Sequence, residues 1–406
     1  MADNIPAYCF TIPSVSDSTI LDCRIYHPVS FQDPTTHQPN KKAALIAHPY
    51  APLGGCMDDP VVMTVVDRLL ELDFVVGTFN FRGAANSQGN TSWAGRGERD
   101  DYMSVAGHLL FYLNQIRKPN DVDNDHVLDD DTELTPSEPI TLVLGGYSYG
   151  SLIVTHLPPT AEILTTFRQT RSSHSMSEIL LRAKELALQT NLSFSDQTEA
   201  RGRLPDQPPR RRHLRQSSSQ HSIVYGGSDS PSPADRHSTD QMSARLKHAM
   251  HRSHNHSRPS MPNSPLGSKE GSTSQGNETV LESLPHVWTH YLLISPLLPP
   301  ISNLLSFSTS NLLFWRHADS KEDSLTRHPT LVIYGTKDMF TSSHKLDAWC
   351  KKMDGLSSQA AGVKGKSLFR WKKIEGAGHF WREHGVEAQL TNSLREWVHE
   401  VVVPEQ

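Results

Sequence analysis

The residues best suited to chemistry are a serine, an aspartate and a histidine far apart in the chain. Ser148 stands in Gly146-Tyr147-Ser148-Tyr149-Gly150, directly after the apolar, β-rich run Ile140-Thr141-Leu142-Val143-Leu144. A helix-compatible segment, Ser151 to His156, follows it. G-x-S-x-G between a strand and a helix is the pattern of a sharp turn that pushes a serine hydroxyl out at its tip. The flanking glycines let strand and helix come close, where a Cβ would collide. A serine hydroxyl is a weak nucleophile near neutral pH and needs a general base. A histidine supplies one when an acid fixes its tautomer and stabilises the imidazolium. Asp338 follows the apolar run Thr330-Leu331-Val332-Ile333-Tyr334 through Gly335-Thr336-Lys337, and His379 follows Gly376-Ala377-Gly378. Taken alone, Asp338 reads equally well as a turn residue, and His379 is one of 22 histidines. Together, in the order Ser, Asp, His and each at the end of an expected strand, they read as a nucleophile, a base and its orienting acid.

Such a serine also needs donors for the oxyanion that forms on attack. One is expected from the backbone N–H of Tyr149, just after the nucleophile. The other should come from the loop His48-Pro49-Tyr50-Ala51-Pro52-Leu53-Gly54-Gly55, which follows the buried strand Ala43-Ala44-Leu45-Ile46-Ala47. Pro49 has no N–H, so Tyr50 is the first candidate and Ala51 the second. His48 is expected to orient this loop or line the pocket, with no catalytic role. A pocket lining of Trp93, Tyr149, Phe314 and Trp315 is a further expectation, although aromatic residues at these positions serve a core equally well.

The elements that must position these residues alternate along the chain. Tyr8–Ile12 and Ile20–Tyr26 read as early strands around a turn at Asp17-Ser18. A helix is expected from about Asp59 to Leu72, with Val62, Val65, Val66 and Leu69 on one face. A strand follows at Phe74–Phe81, then a helix at about Glu98–Ile116 and the serine strand. After Pro158-Pro159, the segment Glu178–Leu192 has helical composition. Strands resume at Tyr291–Ile294, Thr330–Tyr334 and Leu368–Ile374, with short helices in 301–317 and longer ones at His344–Met353 and Glu387–Val402. This alternation implies an α/β fold, a mostly parallel sheet with helices on both faces and functional residues at the carboxyl ends of its strands.

Only 36% of the 406 residues are apolar. The deficit falls between Phe194 and Thr279, where Ser, Pro, Arg, His and Gln dominate. A segment so poor in apolar residues cannot offset its ordering entropy. The expected organisation is therefore a catalytic domain from 1–157 and 288–406, a partly helical insertion at 158–193, and a mostly disordered segment at 194–287. Within that segment the basic run Arg210-Arg211-Arg212-His213-Leu214-Arg215 reads as a solvated patch before a targeting signal. Arg215-Gln216-Ser217-Ser218 has the form of a basophilic kinase site, so a kinase or regulatory partner is expected to act here if anywhere. Phosphosite mapping that leaves 217–219 unmodified in every condition would remove that expectation. His248, His251, His254 and His256 are not joined by cysteines, and the acidic run 121–131 lacks the glycine and closing glutamate of a calcium loop.

A net charge of −5 gives no basic field for nucleic acid. The four cysteines (Cys9, Cys23, Cys56, Cys350) form no C-x-x-C pair and fit free thiols in a reducing compartment. Met1 to Pro6 does not open a secretory signal, and the apolar stretch Tyr291–Leu298 is too short to span a bilayer. A cytoplasmic protein with no cofactor, no metal, no nucleic-acid partner and no stable membrane insertion is expected, acting on a small acyl substrate.

The chain resembles the α/β-hydrolase superfamily. Within it, His48-Pro49-Tyr50-Ala51-Pro52-Leu53-Gly54-Gly55-Cys56-Met57-Asp58-Asp59 is similar to the H-P-H-P-x-x-G-G-x-M-D-N loop of a small group of intracellular hydrolases. Asn80-Phe81-Arg82-Gly83 is similar to that group's N-F-R-G, Gly146–Gly150 to its G-Y-S-F-G, and Gly378-His379-Phe380 to its G-x-x-H-F ending. The resemblance covers about 40–157 and 288–401. Tyr50 stands where the group has a second histidine, and 158–287 have no counterpart. The resemblance implies hydrolysis of an ester, thioester or related acyl bond, with peptidase-type amide cleavage behind them. The reading from another class is a catalytically weak hydrolase-fold scaffold whose insert recruits partners.

Overall fold

A computed structural model describes residues 5–32, 41–92, 95–116, 138–169, 174–202, 285–298, 322–362 and 365–402. Eight strands form one sheet: β1 (Tyr8–Pro13), β2 (Ile20–Tyr26), β3 (Lys42–Ala47), β4 (Val75–Phe79), β5 (Ile140–Tyr147), β6 (Val287–Ile294), β7 (Thr330–Lys337) and β8 (Phe369–Gly378). Their order is β1-β2-β4-β3-β5-β6-β7-β8. β2 runs antiparallel to both β1 and β4, and every pairing from β4 onward is parallel. The carboxyl ends of β3 to β8 therefore lie along one edge.

The helices are α1 (Pro60–Glu71), α2 (Arg96–Asn114), α3 (Tyr149–Val154), α4 (Thr160–Gln169), α5 (His174–Gly202), α6 (Glu322–Arg327), α7 (Ser343–Ala360) and α8 (Val386–Trp397), the last continued by a π turn over Val398–Val402. They cover both faces of the sheet. Alternation along the central strands divides the core: Ala43, Leu45 and Ala47 of β3 pack with α2, α4, α5 and α7. Ala44 and Ile46 pack with α1 and α8. Because both faces are buried, β3 reads as an unbroken apolar run rather than an alternating one.

Asp59 caps α1 by accepting the Val61 N–H at 2.9 Å, and Pro60 takes the first helical position. Val62, Val65, Val66 and Leu69 are fully buried, as their spacing predicts. Burying each such side chain stabilises by about 1.5–3 kcal/mol before entropy is counted.

α5 continues to Gly202, past the boundary at 194 that composition suggests; Ile179, Ala183, Leu186 and Ala187 bury one face of it. Its Thr190 hydroxyl meets the Tyr8 hydroxyl at 2.7 Å and that of Tyr112 at 2.9 Å, which ties the helix to β1 and α2. The rest of the Ser/Pro/Arg/His-rich segment lies outside the described residues. So do the acidic run 121–131, the basic run 210–215, Ser218, the histidines of 248–256 and the helices expected in 301–317. No described helix is long and apolar enough to cross a membrane.

Candidate active site

Ser148 follows β5 with φ 57° and ψ −113°, in the left-handed half of backbone space where non-glycine residues are rare. The turn closes because its flanks carry no side chains. A Cβ on Gly146 would lie 2.3 Å from the Gly150 carbonyl carbon, and one on Gly150 would lie 2.5 Å from the Ala47 oxygen. The strained serine is held from behind by β6. Its N–H donates to the Ile294 carbonyl at 2.8 Å. Ser151 Oγ accepts the Ile294 N–H at 3.0 Å and lies 2.5 Å from the Gly146 oxygen.

The structure brings the three candidate residues together. His379 Nε2 lies 2.8 Å from Ser148 Oγ, and His379 Nδ1 lies 2.7 Å from Asp338 Oδ2. The other carboxylate oxygen of Asp338 accepts the N–H groups of Phe340 at 2.8 Å and Thr341 at 3.1 Å. A carboxylate occupied in this way accepts from Nδ1–H, which leaves the Nε2 lone pair facing the serine hydroxyl. The imidazole sits among Phe340, Tyr147 and Phe380, with centroid distances of 4.5, 5.6 and 5.5 Å. The Tyr147 hydroxyl donates to the His379 carbonyl at 2.7 Å. All three residues are buried, with Ser148 6% exposed. The arrangement can pass the serine proton to the imidazole and stabilise the imidazolium.

The loop after β3 is fixed by His48. Its Nε2 accepts the Phe81 N–H at 2.9 Å, which places the ring proton on Nδ1, where it donates to the Pro49 carbonyl at 2.6 Å. Burial holds His48 neutral, with its pKa pushed down to about 4. The N-F-R-G residues complete this scaffold. Asn80 Oδ1 accepts the Met57 N–H at 2.9 Å, and Arg82 pairs with Asp101 and Asp17, both at 2.7 Å. These motif residues join the β3 loop, the β4 loop, α2 and the β1–β2 turn, and none touches the serine–histidine pair.

A cavity of about 370 Å³ opens over Ser148 and His379. Its apolar lining is Tyr50, Leu53, Leu297, Phe340 and Phe380, with Asp59 and Arg382 at its polar side. Of the expected aromatic lining, Tyr149 is corrected. Tyr149 is buried against Tyr50 and Phe81 and does not line the cavity; Trp93, Phe314 and Trp315 lie outside the described residues. Phe340 and Phe380 were legible only as neighbours in sequence of Asp338 and His379. Leu297 carries no local signal at all. Among the described residues no group of three or more His, Cys, Asp or Glu side chains gathers as a metal site would.

Tyr149 opens α3, and the first amides of a helix have no partner within it. Tyr50 precedes the 3-10 turn Ala51–Leu53, and its ring packs edge-on against that of Tyr149 at 5.1 Å. The two segments expected to supply oxyanion donors thus meet beside the serine.

No family model matches the chain, and no curated protein matches it. Among solved structures, it is similar to an α/β serine hydrolase without lid from Xanthomonas campestris, at 13% identity over 99% of both chains and a TM-score of 0.43. It is also similar to an α/β serine hydrolase homologue from Coxiella burnetii, at 14% identity over 97% of this chain and 99% of that one, with a TM-score of 0.41. Est1E from Butyrivibrio proteoclasticus, with ferulic acid bound, is similar at 11% identity over 97% and 99%, with a TM-score of 0.42. A sheet with antiparallel β2 followed by parallel strands, an elbow after β5, and an aspartate and a histidine after β7 and β8 make up the α/β-hydrolase fold.

Proposed function

We infer that the protein is a serine hydrolase that cleaves an ester or thioester through an acyl-enzyme. The observation that carries this reading is the hydrogen-bonded chain Asp338–His379–Ser148 at the floor of an open cavity. Ser148 Oγ attacks the acyl carbonyl as its proton passes to His379 Nε2, and the new C–O bond converts the carbonyl to an oxyanion. The backbone N–H groups of Tyr149 and Tyr50 are the proposed donors to that oxyanion; losing one such donor typically costs about 3 kcal/mol in the transition state. Collapse expels the alcohol or thiol, which takes the proton from His379. Water then attacks the acyl-serine, giving up a proton to His379, and the carboxylic acid leaves as Ser148 recovers its hydroxyl. Asp338 keeps Nδ1 protonated throughout and stabilises the imidazolium.

The scaffold reading calls for a blocked pocket or a dispersed set of residues. The open cavity and the 2.8 Å contact between Ser148 and His379 favour the enzyme. A fluorophosphonate probe tests the reading. Purified wild-type protein is expected to label and Ser148→Ala is not, and equal labelling of the two would refute it. Turnover of 4-nitrophenyl ester and thioester series, set against aminoacyl-proline amides, places the bond type.

A further inference from the structure

We propose that Arg382 is an anion-recognition residue, and that the substrate is an acyl ester or thioester carrying a carboxylate or phosphate group beyond the scissile bond. The proposal rests on the hydrolase reading for the scissile bond and on separate observations for the anion.

Arg382 lines the cavity over Ser148 and also a smaller adjoining pocket of about 120 Å³, which shares Asp59, Pro60, Tyr147 and Phe380 with it. Its guanidinium carbon lies over the Phe380 ring, 5.5 Å from the centroid, and Phe380 in turn stands edge-on to His379. A cation over an aromatic face is attracted by the ring quadrupole, so the head is held over a ring that itself flanks His379.

The backbone that presents it is strained. Trp381 has φ 54°, a left-handed conformation that is an outlier for a bulky side chain. Its indole N–H donates to Ser295 Oγ at 3.1 Å, and Ser295 is itself left-handed at φ 45°. Strain of this kind persists only where the surroundings enforce it, and it gathers at functional sites. Here its effect is to turn the chain between Phe380 and Arg382 so that both line the cavity.

Nearby carboxylates each have another hydrogen-bond or ion-pair partner, although Asp59 also feels the Arg382 charge. Glu383 accepts the Gly378 N–H, which holds its carboxyl below the usual range. Asp58 pairs with Arg24, Asp59 caps α1, and Glu387 accepts the Thr64 hydroxyl at 3.3 Å. Among the described residues none forms an ion pair with Arg382. A guanidinium outside any salt bridge of the described residues, on a cavity whose lining also holds Asp58 and Asp59, keeps donors for bidentate recognition of an oxyanion.

The test compares 4-nitrophenyl hexanoate with its anionic counterparts, 4-nitrophenyl hemiadipate and 4-nitrophenyl 6-phosphonohexanoate. In Arg382→Met the anionic-to-neutral ratio of kcat/KM is expected to fall roughly 10- to 100-fold, mainly through KM. Arg370→Met, on the remote edge strand β8, should keep the wild-type ratio and so exclude general charge steering. The anion with the larger dependence on Arg382 identifies carboxylate or phosphate as the source. An unchanged ratio in Arg382→Met overturns the proposal. Binding separates this outcome from failure of the hydrolase reading. Ser148→Ala protein is titrated with adipic acid monoamide and with hexanamide by calorimetry, with and without Arg382→Met. Arg382-dependent binding of the monoamide supports the anion site even if no turnover is found. Equal binding of the two amides overturns it even if Ser148 labels.

Discussion

His48 Nε2 accepts the backbone N–H of Phe81, and that one hydrogen bond couples the loop after β3 to the loop after β4. The coupling works only with a neutral imidazole, because a protonated ring has no acceptor to offer. In His48→Ala the Phe81 N–H is left buried without a partner, a loss of about 1–3 kcal/mol. The loop carrying Tyr50 loosens with it. Denaturant unfolding is expected to register the destabilisation, and slower fluorophosphonate labelling the displaced loop. Full stability together with a wild-type labelling rate would remove His48 from this role.

Acid should unfold the protein partly through its buried histidines. Burial pushes His48 down to about 4 and His108 down to about 3, whereas an unfolded histidine titrates near 6.5. The unfolded chain therefore binds more protons between these values, so stability is present above pH 6.5 and is lost as pH falls towards 4 and then 3. His108 stacks on Phe10 at 4.6 Å, and among the described residues neither of its ring nitrogens has a hydrogen-bond partner. Replacing it with leucine, His108→Leu, should raise stability at neutral pH by about 1 kcal/mol. It should also remove up to about 1.4 kcal/mol per pH unit from the acid limb. Unfolding curves at several pH values check both, and an unchanged limb would refute the assignment.

Asp338→Asn separates orientation from folding. An asparagine oxygen can still accept from Phe340 and Thr341, so the loop should hold. Its amide then donates towards His379 Nδ1, which forces the ring proton onto Nε2 and removes the acceptor for Ser148. A loss on the order of 10⁴-fold in kcat with little change in melting temperature is expected. Ester turnover alongside thermal melts measures the two.

The elbow should tolerate no side chain at its flanks. In Gly150→Ala the new methyl meets the Ala47 backbone, which cannot retreat without shifting a central strand. A destabilisation of about 3 kcal/mol and loss of probe labelling are expected. Stability and labelling equal to wild type would show that the turn relaxes more readily than its contacts imply.

Much of this was legible in the sequence, and for identifiable reasons. β3 and β5 announce themselves as apolar runs because both their faces are buried. Ser148 and Asp338 announce themselves because each follows such a run, and His379 because it follows the glycine-rich end of a strand. What the sequence hides is contact between distant segments. Ser151 looks like an ordinary helix residue, yet it bridges β5 and β6. Neither the left-handed backbone of Trp381 nor its bond to Ser295 has a local signature in the sequence. His48 was legible as a loop residue, but its partner at Phe81 follows only from the adjacency of β3 and β4.

The register of β5 on β6 carries one more consequence. Ile140 pairs with Val287 at one end and Tyr147 with Ile294 at the other. The long connection from α5 enters the sheet at the first of these pairs, a full strand length from the serine. The β5–β6 ladder sets where Ile294 meets Ser148. The position before Val287 is thus a natural graft point, where foreign sequence can be spliced into the chain without the reacting atoms sensing its length.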